Sequence, residues 1–252
     1  MAYTYKKNLA NKNNYGGRRS TAAIRYIVIH YTGNDGDSDE ANANYFKRNI
    51  VKASAHYFVD DDSVTQSVPD DYVAWSVGGK KYTNCAKTGG GTMYGKCTNA
   101  NSLSVELCDT VKDGKVYPSA KTIENALTLV RELMKKYNVP ASRVIRHFDV
   151  TGKACPAYWC RSVEKNALWE TVFHKKLMTS SASAASAEST AKSYLVRITA
   201  NSLNVRSGPG MFYTAVTSVK KNQVYTIIEE KNGWGLLKSK TGWISLAYTT
   251  KV

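Results

Sequence analysis

Short β-branched apolar runs in the first two thirds of the chain have the length of buried strands. Ile24 to Tyr31 is such a run, ending in a turn signal at 33–36, and Ser102 to Cys108 is another. Residues 53–68 have the pattern of a hairpin, with Asp60, Asp61 and Asp62 near its turn. The loop predicted at 78–101 is rich in Gly, Lys, Asn and Thr.

Three further segments have helical patterns. The clearest covers 119–137, where the apolar residues Ile123, Ala126, Leu127, Val130, Leu133 and Met134 recur at helical spacing. A second helix is predicted over about 39–49, with Ser38 as its N-cap and acidic residues in its first turn. A third is predicted over about 162–177. Strands interleaved with helices favour an α/β domain.

The strand period of two places polar residues on a defined face of each strand. In the first strand it groups His30 with Tyr26 and Val28, and a histidine at a strand's carboxyl end is well placed to line a cleft. In the later strand it groups Glu106 with Ser104, opposite the apolar positions. A carboxylate within an apolar strand is costly unless it faces a partner or a polar cleft, and the alternative is an exposed edge strand.

Composition changes abruptly near residue 178. Residues 178–193 are mostly Ser, Ala and Thr without a periodic apolar face, which predicts a flexible linker. Residues 194–252 contain short β-branched and aromatic runs separated by turn signals, typical of a small all-β barrel. The predicted organisation is therefore a domain at 1–177, a linker at 178–193 and a second domain at 194–252.

The net charge of +15 favours a polyanionic partner, which includes nucleic acid, an anionic membrane or an anionic cell wall. No run of five or more basic residues is present, so we expect no nucleic-acid arm. No apolar stretch is long enough for a transmembrane segment. The N-terminal residues lack the apolar core of an export signal, so we expect synthesis in the cytoplasm and action outside only after release.

The stretch from Arg146 to Cys160, RHFDVTGKACPAYWC, contains the most reactive chemistry of the chain. Together with the distant His30, His147 and Cys155 provide two imidazoles and a thiolate, the ligands of a catalytic zinc site with an open fourth position. The five cysteines do not predict a disulfide framework, although Cys85 and Cys97 are spaced to allow a pair across a loop.

The motif His147-x-Asp149-x-x-x-Lys153-x-Cys155-Pro156, with IVIHYTGN around His30 and SLSVELC around Glu106, resembles the zinc N-acetylmuramoyl-L-alanine amidases related to peptidoglycan recognition proteins. The resemblance covers about residues 20–160. It implies a mixed central β-sheet flanked by helices, one Zn²⁺, and the peptidoglycan of Gram-positive walls as substrate. Residues 203–210 (LNVRSGPG) and 242–244 (GWI) resemble a bacterial SH3 domain, which implies wall binding, with anionic wall polymers as further possible partners. The combination resembles phage endolysins and autolysins.

The resemblance also implies residue roles. Zinc held by His30, His147 and Cys155 activates water and polarises the amide between N-acetylmuramic acid and L-alanine. Glu106 moves the proton and Lys153 stabilises the oxyanion.

Substrate contacts are expected from His56 and Trp75, where two departures occur. Ala55 stands where some members have the tyrosine that precedes this histidine, and Ser76 follows Trp75 where many have histidine.

Two other functional classes remain open from the sequence. A recognition module that binds peptidoglycan without cleaving it shares most of these motifs, although such modules typically lack the ligand found here as Cys155. A structural zinc protein that binds nucleic acid is the second alternative, with His147, Cys155, Cys160 and His174 closing a four-ligand site. That alternative assigns no role to Glu106 or Lys153.

Overall fold

The structure is a computed structural model that describes residues 3–34, 36–112, 115–177, 193–209, 215–231 and 233–252. The chain divides into two compact units, Met1–Thr179 and Ser180–Val252. The linker predicted at 178–193 lies, apart from Ser193, outside the described residues. Among the described residues, no helix combines the length and apolar composition needed to cross a membrane.

The first unit alternates strands and helices. Its described strands are β1 Thr4–Lys7, β2 Tyr15–Arg18, β3 Tyr26–Tyr31, β4 Tyr57–Val59, β5 Ser63–Gln66, β6 Tyr72–Ala74, β7 Ser102–Leu107, β8 Thr110–Lys112, β9 Lys115–Tyr117 and β10 Val144–Arg146. Its described α-helices are α1 Asp39–Arg48, α2 Cys85–Thr88, α3 Ala120–Tyr137, α4 His147–Thr151 and α5 Val163–Leu168. Short 3₁₀ turns occur at Lys12–Asn14, Thr21–Ala23, Asn99–Asn101, Ala141–Arg143 and Ala157–Trp159.

The central sheet has the strand order β1-β5-β4-β7-β3-β10. The pair β4 and β5 is antiparallel, as expected for a hairpin, and the other neighbouring pairs are parallel. Two smaller pairs, β2 with β6 and β8 with β9, lie outside it. The expected mixed sheet is therefore confirmed.

Helix α3 covers one face of the central sheet. It begins at the Ser119 cap, whose Oγ accepts from the Lys121 and Thr122 amides, and ends at Asn138 in the left-handed conformation. Its apolar stripe packs in one buried cluster with sheet residues: Ile27, Ile29, Leu103, Val105, Leu107, Ile123, Ala126, Leu127, Val130 and Leu133. Since period two turns the other face of β3 and β7 away from this core, the polar residues on that face remain available for a site.

The helices predicted over 39–49 and 162–177 both begin where the sequence predicts, but only the first is regular throughout. Helix α1 begins after Ser38, whose side chain accepts from the Ala41 amide. The helix predicted over 162–177 is interrupted, because α5 continues into a π-helical segment at Trp169–Phe173 and a 3₁₀ turn at His174–Leu177. Trp169 and Phe173 stack on each other in this part of the chain, and both rings are buried and lie tilted against Trp159.

The second unit is all-β, as predicted. Its described strands are β11 Tyr194–Ile198, β12 Ser202–Arg206, β13 Ala215–Lys220, β14 Val224–Lys231, β15 Trp234–Leu237, β16 Trp243–Ser245 and β17 Thr249–Lys251. They form an antiparallel sheet in the order β13-β12-β16-β15-β14-β11-β17, with its own buried core. Gly242 has φ +157°, and a Cβ there would lie 2.4 Å from the Arg206 carbonyl, which explains the glycine before Trp243.

Candidate metal centre and cleft

Three adjacent strands bring the predicted site residues together. In the parallel pair of β3 and β7, His30 lies directly opposite Glu106. On the other side of β3, Ile29 is paired with Arg146, the last residue of β10, and His147 follows as the first residue of α4. Since these strands are parallel, their carboxyl ends lie at the same edge, where the three side chains converge.

Cys155 reaches the same place through the loop after α4. The helix ends at Gly152 with φ +82°, where a Cβ would lie 2.1 Å from Cys85 Sγ, so this turn accepts only glycine. The Phe148 amide then donates to the Cys155 carbonyl at 2.9 Å, which ties the loop back to the start of the helix. His147 and Cys155 are thus held by one short, internally bonded segment.

A buried ion pair fixes this segment to the protein. The Arg146 guanidinium forms a bidentate ion pair with Asp149, with Nη2–Oδ1 at 2.7 Å and Nε–Oδ2 at 3.0 Å. The Arg146 backbone amide also donates to Asp149 Oδ2 at 2.8 Å. Arg146 Nη1 also donates to the Trp159 carbonyl and to Asn166 Oδ1. Only 9% of the arginine side chain and 15% of the aspartate are exposed. The pair therefore orients the helix that begins with His147.

We expect Asp149→Ala to lower the free energy of unfolding by about 3 kcal/mol, because it leaves a buried guanidinium without its counter-charge. Urea unfolding followed by tryptophan fluorescence measures the change. The matched control is Asp71→Ala, which removes the exposed Arg18–Asp71 pair (2.7 Å) and is expected to leave the urea midpoint nearly unchanged. Equal midpoints for the Asp149 and Asp71 variants would contradict this role.

The three potential ligands are close enough to bind one ion. His30, His147 and Cys155 are buried, and their ligand atoms all lie within 4.8 Å of one another. Cys155 Sγ lies 3.7 Å from His30 Nδ1, and the two imidazole rings are 4.8 Å apart at their centroids. Among the described residues searched, this is the group of three or more His, Cys, Asp or Glu side chains with such spacing.

Burial sets the protonation of these groups. It lowers the pKa of His30 well below its ordinary value, and the His147 and Lys153 charges act in the same direction. Burial, with the Lys153 charge adding to it, lowers the pKa of His147 to about 4. Both imidazoles are therefore neutral at pH 7, as metal coordination requires. Burial raises the pKa of the Cys155 thiol. A metal ion bound to the sulfur would lower this pKa again, because its charge stabilises the thiolate.

Zinc fits this set of donors. Imidazole and thiolate suit Zn²⁺ and disfavour Mg²⁺ or Ca²⁺, which prefer oxygen ligands. Cys155 Sγ and His30 Nδ1 lie 3.7 Å apart. This is close to the separation of about 3.5 Å expected for a sulfur and a nitrogen that bind one zinc ion at ordinary bond lengths. His30 Nε2 and His147 Nδ1 are buried without a hydrogen-bond partner among the described residues, so each ring still has an unmet polar atom.

Glu106 lies beside the three donors without joining them. Its Oε1 is 3.8 Å from His30 Nδ1, and its Oε2 is buried with no hydrogen-bond partner among the described residues. Burial raises its pKa to about 8, against the opposing effect of the Lys153 charge. A carboxylate with a raised pKa and a free oxygen is suited to accept and return a proton near neutral pH.

A cavity of about 650 Å³ opens beside this centre. Three of the predicted site residues, Trp75, His147 and Lys153, lie on its wall. Lys153 is exposed, and its charge acts on His147 and Glu106.

His56 does not line the cavity. It is 1% exposed, and both ring nitrogens have partners within the protein. Nδ1 lies 3.0 Å from Ser104 Oγ, and Nε2 lies 3.0 Å from Arg19 Nη2 and 3.2 Å from the Tyr72 carbonyl. The expected substrate contact has no exposed surface to use, and His56 instead joins β4, β7 and the segment around Arg19.

The alternative four-ligand site does not form in the described residues. The ring of His174 is engaged elsewhere, with Nε2 2.9 Å from the Ala141 carbonyl and Nδ1 3.3 Å from Glu170. All five cysteines are free, so Cys85 and Cys97 do not pair, and the Cys160 thiol does not join the metal group.

The sequence reading missed Lys52, Lys80 and Lys81, which also line the cavity. The available signal is the run Gly78-Gly79-Lys80-Lys81, a double lysine after two glycines within the predicted loop. Charge in a loop is usually solvated surface, so its place beside the site required the fold.

Comparison with known proteins identifies both units. Residues 20–158 match the family described as N-acetylmuramoyl-L-alanine amidase, and residues 201–250 match the bacterial SH3 domain. The chain is 37% identical over 146 residues to a probable N-acetylmuramoyl-L-alanine amidase of Bacillus licheniformis, covering 56% of this chain and 38% of that protein. It is 33% identical over 163 residues to the amidase CwlL of the same species, covering 62% and 41%.

The chain thus spans about two fifths of the length of these curated relatives. Among solved structures, that of PlyL has a TM-score of 0.52 and 28% identity, covering 69% of this chain and 96% of that one. The family expected from the motifs is confirmed.

Proposed function

The chain belongs to the N-acetylmuramoyl-L-alanine amidase family, and from this premise we propose that its first unit hydrolyses the amide bond between N-acetylmuramic acid and L-alanine in peptidoglycan. The observation that carries the proposal is the convergence of His30, His147 and Cys155 beside Glu106, whose Oε2 has no hydrogen-bond partner among the described residues. A binding module needs no proton acceptor at this place. The matched family region contains all four residues.

His30, His147 and Cys155 hold a zinc ion in this proposal. The chemistry that such an ion supplies when bound is a polarised amide carbonyl and a lower pKa for the attacking water. Glu106 accepts the proton of that water through its free oxygen and returns it to the leaving amine of L-alanine. The Lys153 ammonium faces the same cavity and stabilises the negative charge that develops on the carbonyl oxygen.

End-group analysis of purified Gram-positive walls tests the reaction. Digestion should release new N-terminal alanine without new reducing sugar, because the bond cut lies between the sugar's lactyl group and the peptide. A chelator should abolish the release, and added Zn²⁺ should restore it. Walls that bind the protein but gain no new ends would instead indicate a recognition module.

The second unit is proposed to bind the wall. Its described residues 193–252 contain eight basic and two acidic side chains, a balance that suits anionic wall polymers as well as peptidoglycan. Its core is separate from that of the first unit, so the two activities are expected to be separable.

Deleting residues 194–252 is expected to weaken binding to whole walls on the order of tenfold to a hundredfold, because it removes one of two linked attachment sites. The kcat/KM on a soluble muramoyl peptide should stay unchanged. Wall sedimentation and a soluble-substrate assay measure the two effects. Undiminished wall binding by the truncated chain would contradict the assignment.

A further inference from the structure

The charged side chains that line the cavity beside the metal centre are all positive. Four lysines line it, namely Lys52, Lys80, Lys81 and Lys153, and none of its described lining residues is acidic. Lys153 faces the reacting amide in the proposed mechanism, and the other three lie on parts of the wall for which that mechanism has no use. Like charges gathered in a concave site raise the local concentration of an anion.

These three lysines are available to a ligand. Lys52, Lys80 and Lys81 are exposed, and none has a carboxylate of the described chain within 4.0 Å. Other lysines of this unit are paired at short range, such as Lys136 with Asp70 at 3.0 Å and Lys6 with Glu40 at 3.0 Å. The lysines around the cavity therefore keep their charge uncompensated.

The segment that carries Lys80 and Lys81 is fixed to the metal centre. The Tyr82 amide donates to the Thr151 carbonyl at 2.8 Å, which anchors the segment on α4, the helix that begins with His147. Lys81 crosses the face of Gly91, where a Cβ would lie 2.6 Å from the lysine Cε. A surface lysine on an unanchored loop lacks such contacts, so the position of Lys81 relative to the site is defined.

The volume limits what the lysines can bind. About 650 Å³ falls in the range of cavities that enclose a small ligand. It accommodates a few residues of a peptide next to the scissile amide, whereas a long phosphate polymer is better served by an open surface. Resting on the proposed function, we propose that Lys52, Lys80 and Lys81 form a subsite for free carboxylates of the peptide stem, so that the enzyme prefers acidic over amidated stems.

The test uses two soluble muramoyl tripeptides that differ only at the second residue, which carries either a free carboxylate or its amide. The full chain should favour the free acid about tenfold in kcat/KM, a usual gain from complementary charge. In the double variant Lys80→Gln/Lys81→Gln this ratio should fall toward one, mainly through KM. The control is Lys87→Gln, which changes an exposed lysine of the nearby helix α2 that does not line the cavity, and it should keep the ratio.

An unchanged ratio in the double variant overturns the subsite, even when both rates fall together. A full chain that shows no preference, while a short polyphosphate competes with both peptides in a Lys80- and Lys81-dependent manner, also overturns it and assigns the lysines to phosphate polymers. If the full chain cleaves neither peptide, the proposed function fails. Calorimetric binding of the same peptides then decides the subsite, with the same ratio supporting it and equal affinities rejecting it.

Discussion

Glu106→Gln is expected to lower kcat on walls and on soluble muramoyl peptides by about 10²- to 10⁴-fold, the usual contribution of a general acid–base group. The amide has nearly the shape of the carboxylate but cannot accept the proton of the attacking water. Zinc content and wall binding should remain at the level of the unchanged protein. Rates of alanine release, with metal analysis of the same sample, measure both properties.

The structural basis is that the two oxygens of the Glu106 carboxylate have different surroundings. Its Oε1 lies 3.8 Å from the His30 ring, while Oε2 is buried and has no partner in the described part of the chain. A buried oxygen without a hydrogen bond is costly to the fold, so its retention is typical of a functional group. Removing its charge should therefore cost activity and leave stability unharmed or improved.

The control for charge removal is Glu124→Gln, which changes an exposed glutamate of α3 that pairs with Lys121 at 3.2 Å. This variant should keep full activity. An active Glu106→Gln protein would remove Glu106 from the mechanism. Loss of zinc together with activity would reassign Glu106 to holding the metal site together.

The faces of the site strands followed from the sequence, but their pairing did not. Period two alone separated His30 from Ile27 and Ile29, and Glu106 from the apolar positions of β7. In the structure those apolar residues pack in the buried cluster. That the two residues lie side by side depends on β3 pairing with β7, more than seventy positions later. Such a long-range register has no local sequence signal, and only the motif resemblance suggested it.

His56 shows a second limit of prediction from sequence, which concerns the burial of a polar side chain. A histidine beside a hairpin is an acceptable substrate contact until its neighbours are known. Its partners Arg19 and Ser104 come from segments 37 positions before and 48 positions after it. With these partners, both ring nitrogens are hydrogen-bonded in the protein interior. Burial of a polar residue depends on what the rest of the chain delivers, so its local pattern could not distinguish the cleft from the core.

His30→Ala is expected to weaken zinc binding by more than about a hundredfold, since even losing a residue that only orients a ligand costs about ten- to a hundredfold in metal affinity. The change leaves His147 and Cys155, too few ligands to hold zinc against a chelator. Activity should fall to background with it. Metal content after dialysis against a weak chelator, measured per protein chain, gives the result directly.

The matched control is His174→Ala, which removes a histidine whose ring contacts Ala141 and Glu170 away from the metal group. This variant should keep one zinc per chain. The opposite pattern, with zinc retained without His30 and lost without His174, would establish the four-ligand structural site with Cys155 and Cys160. The two sites share Cys155 and His147, so substitution of either would abolish zinc binding in both, whereas the two histidine variants affect one site each.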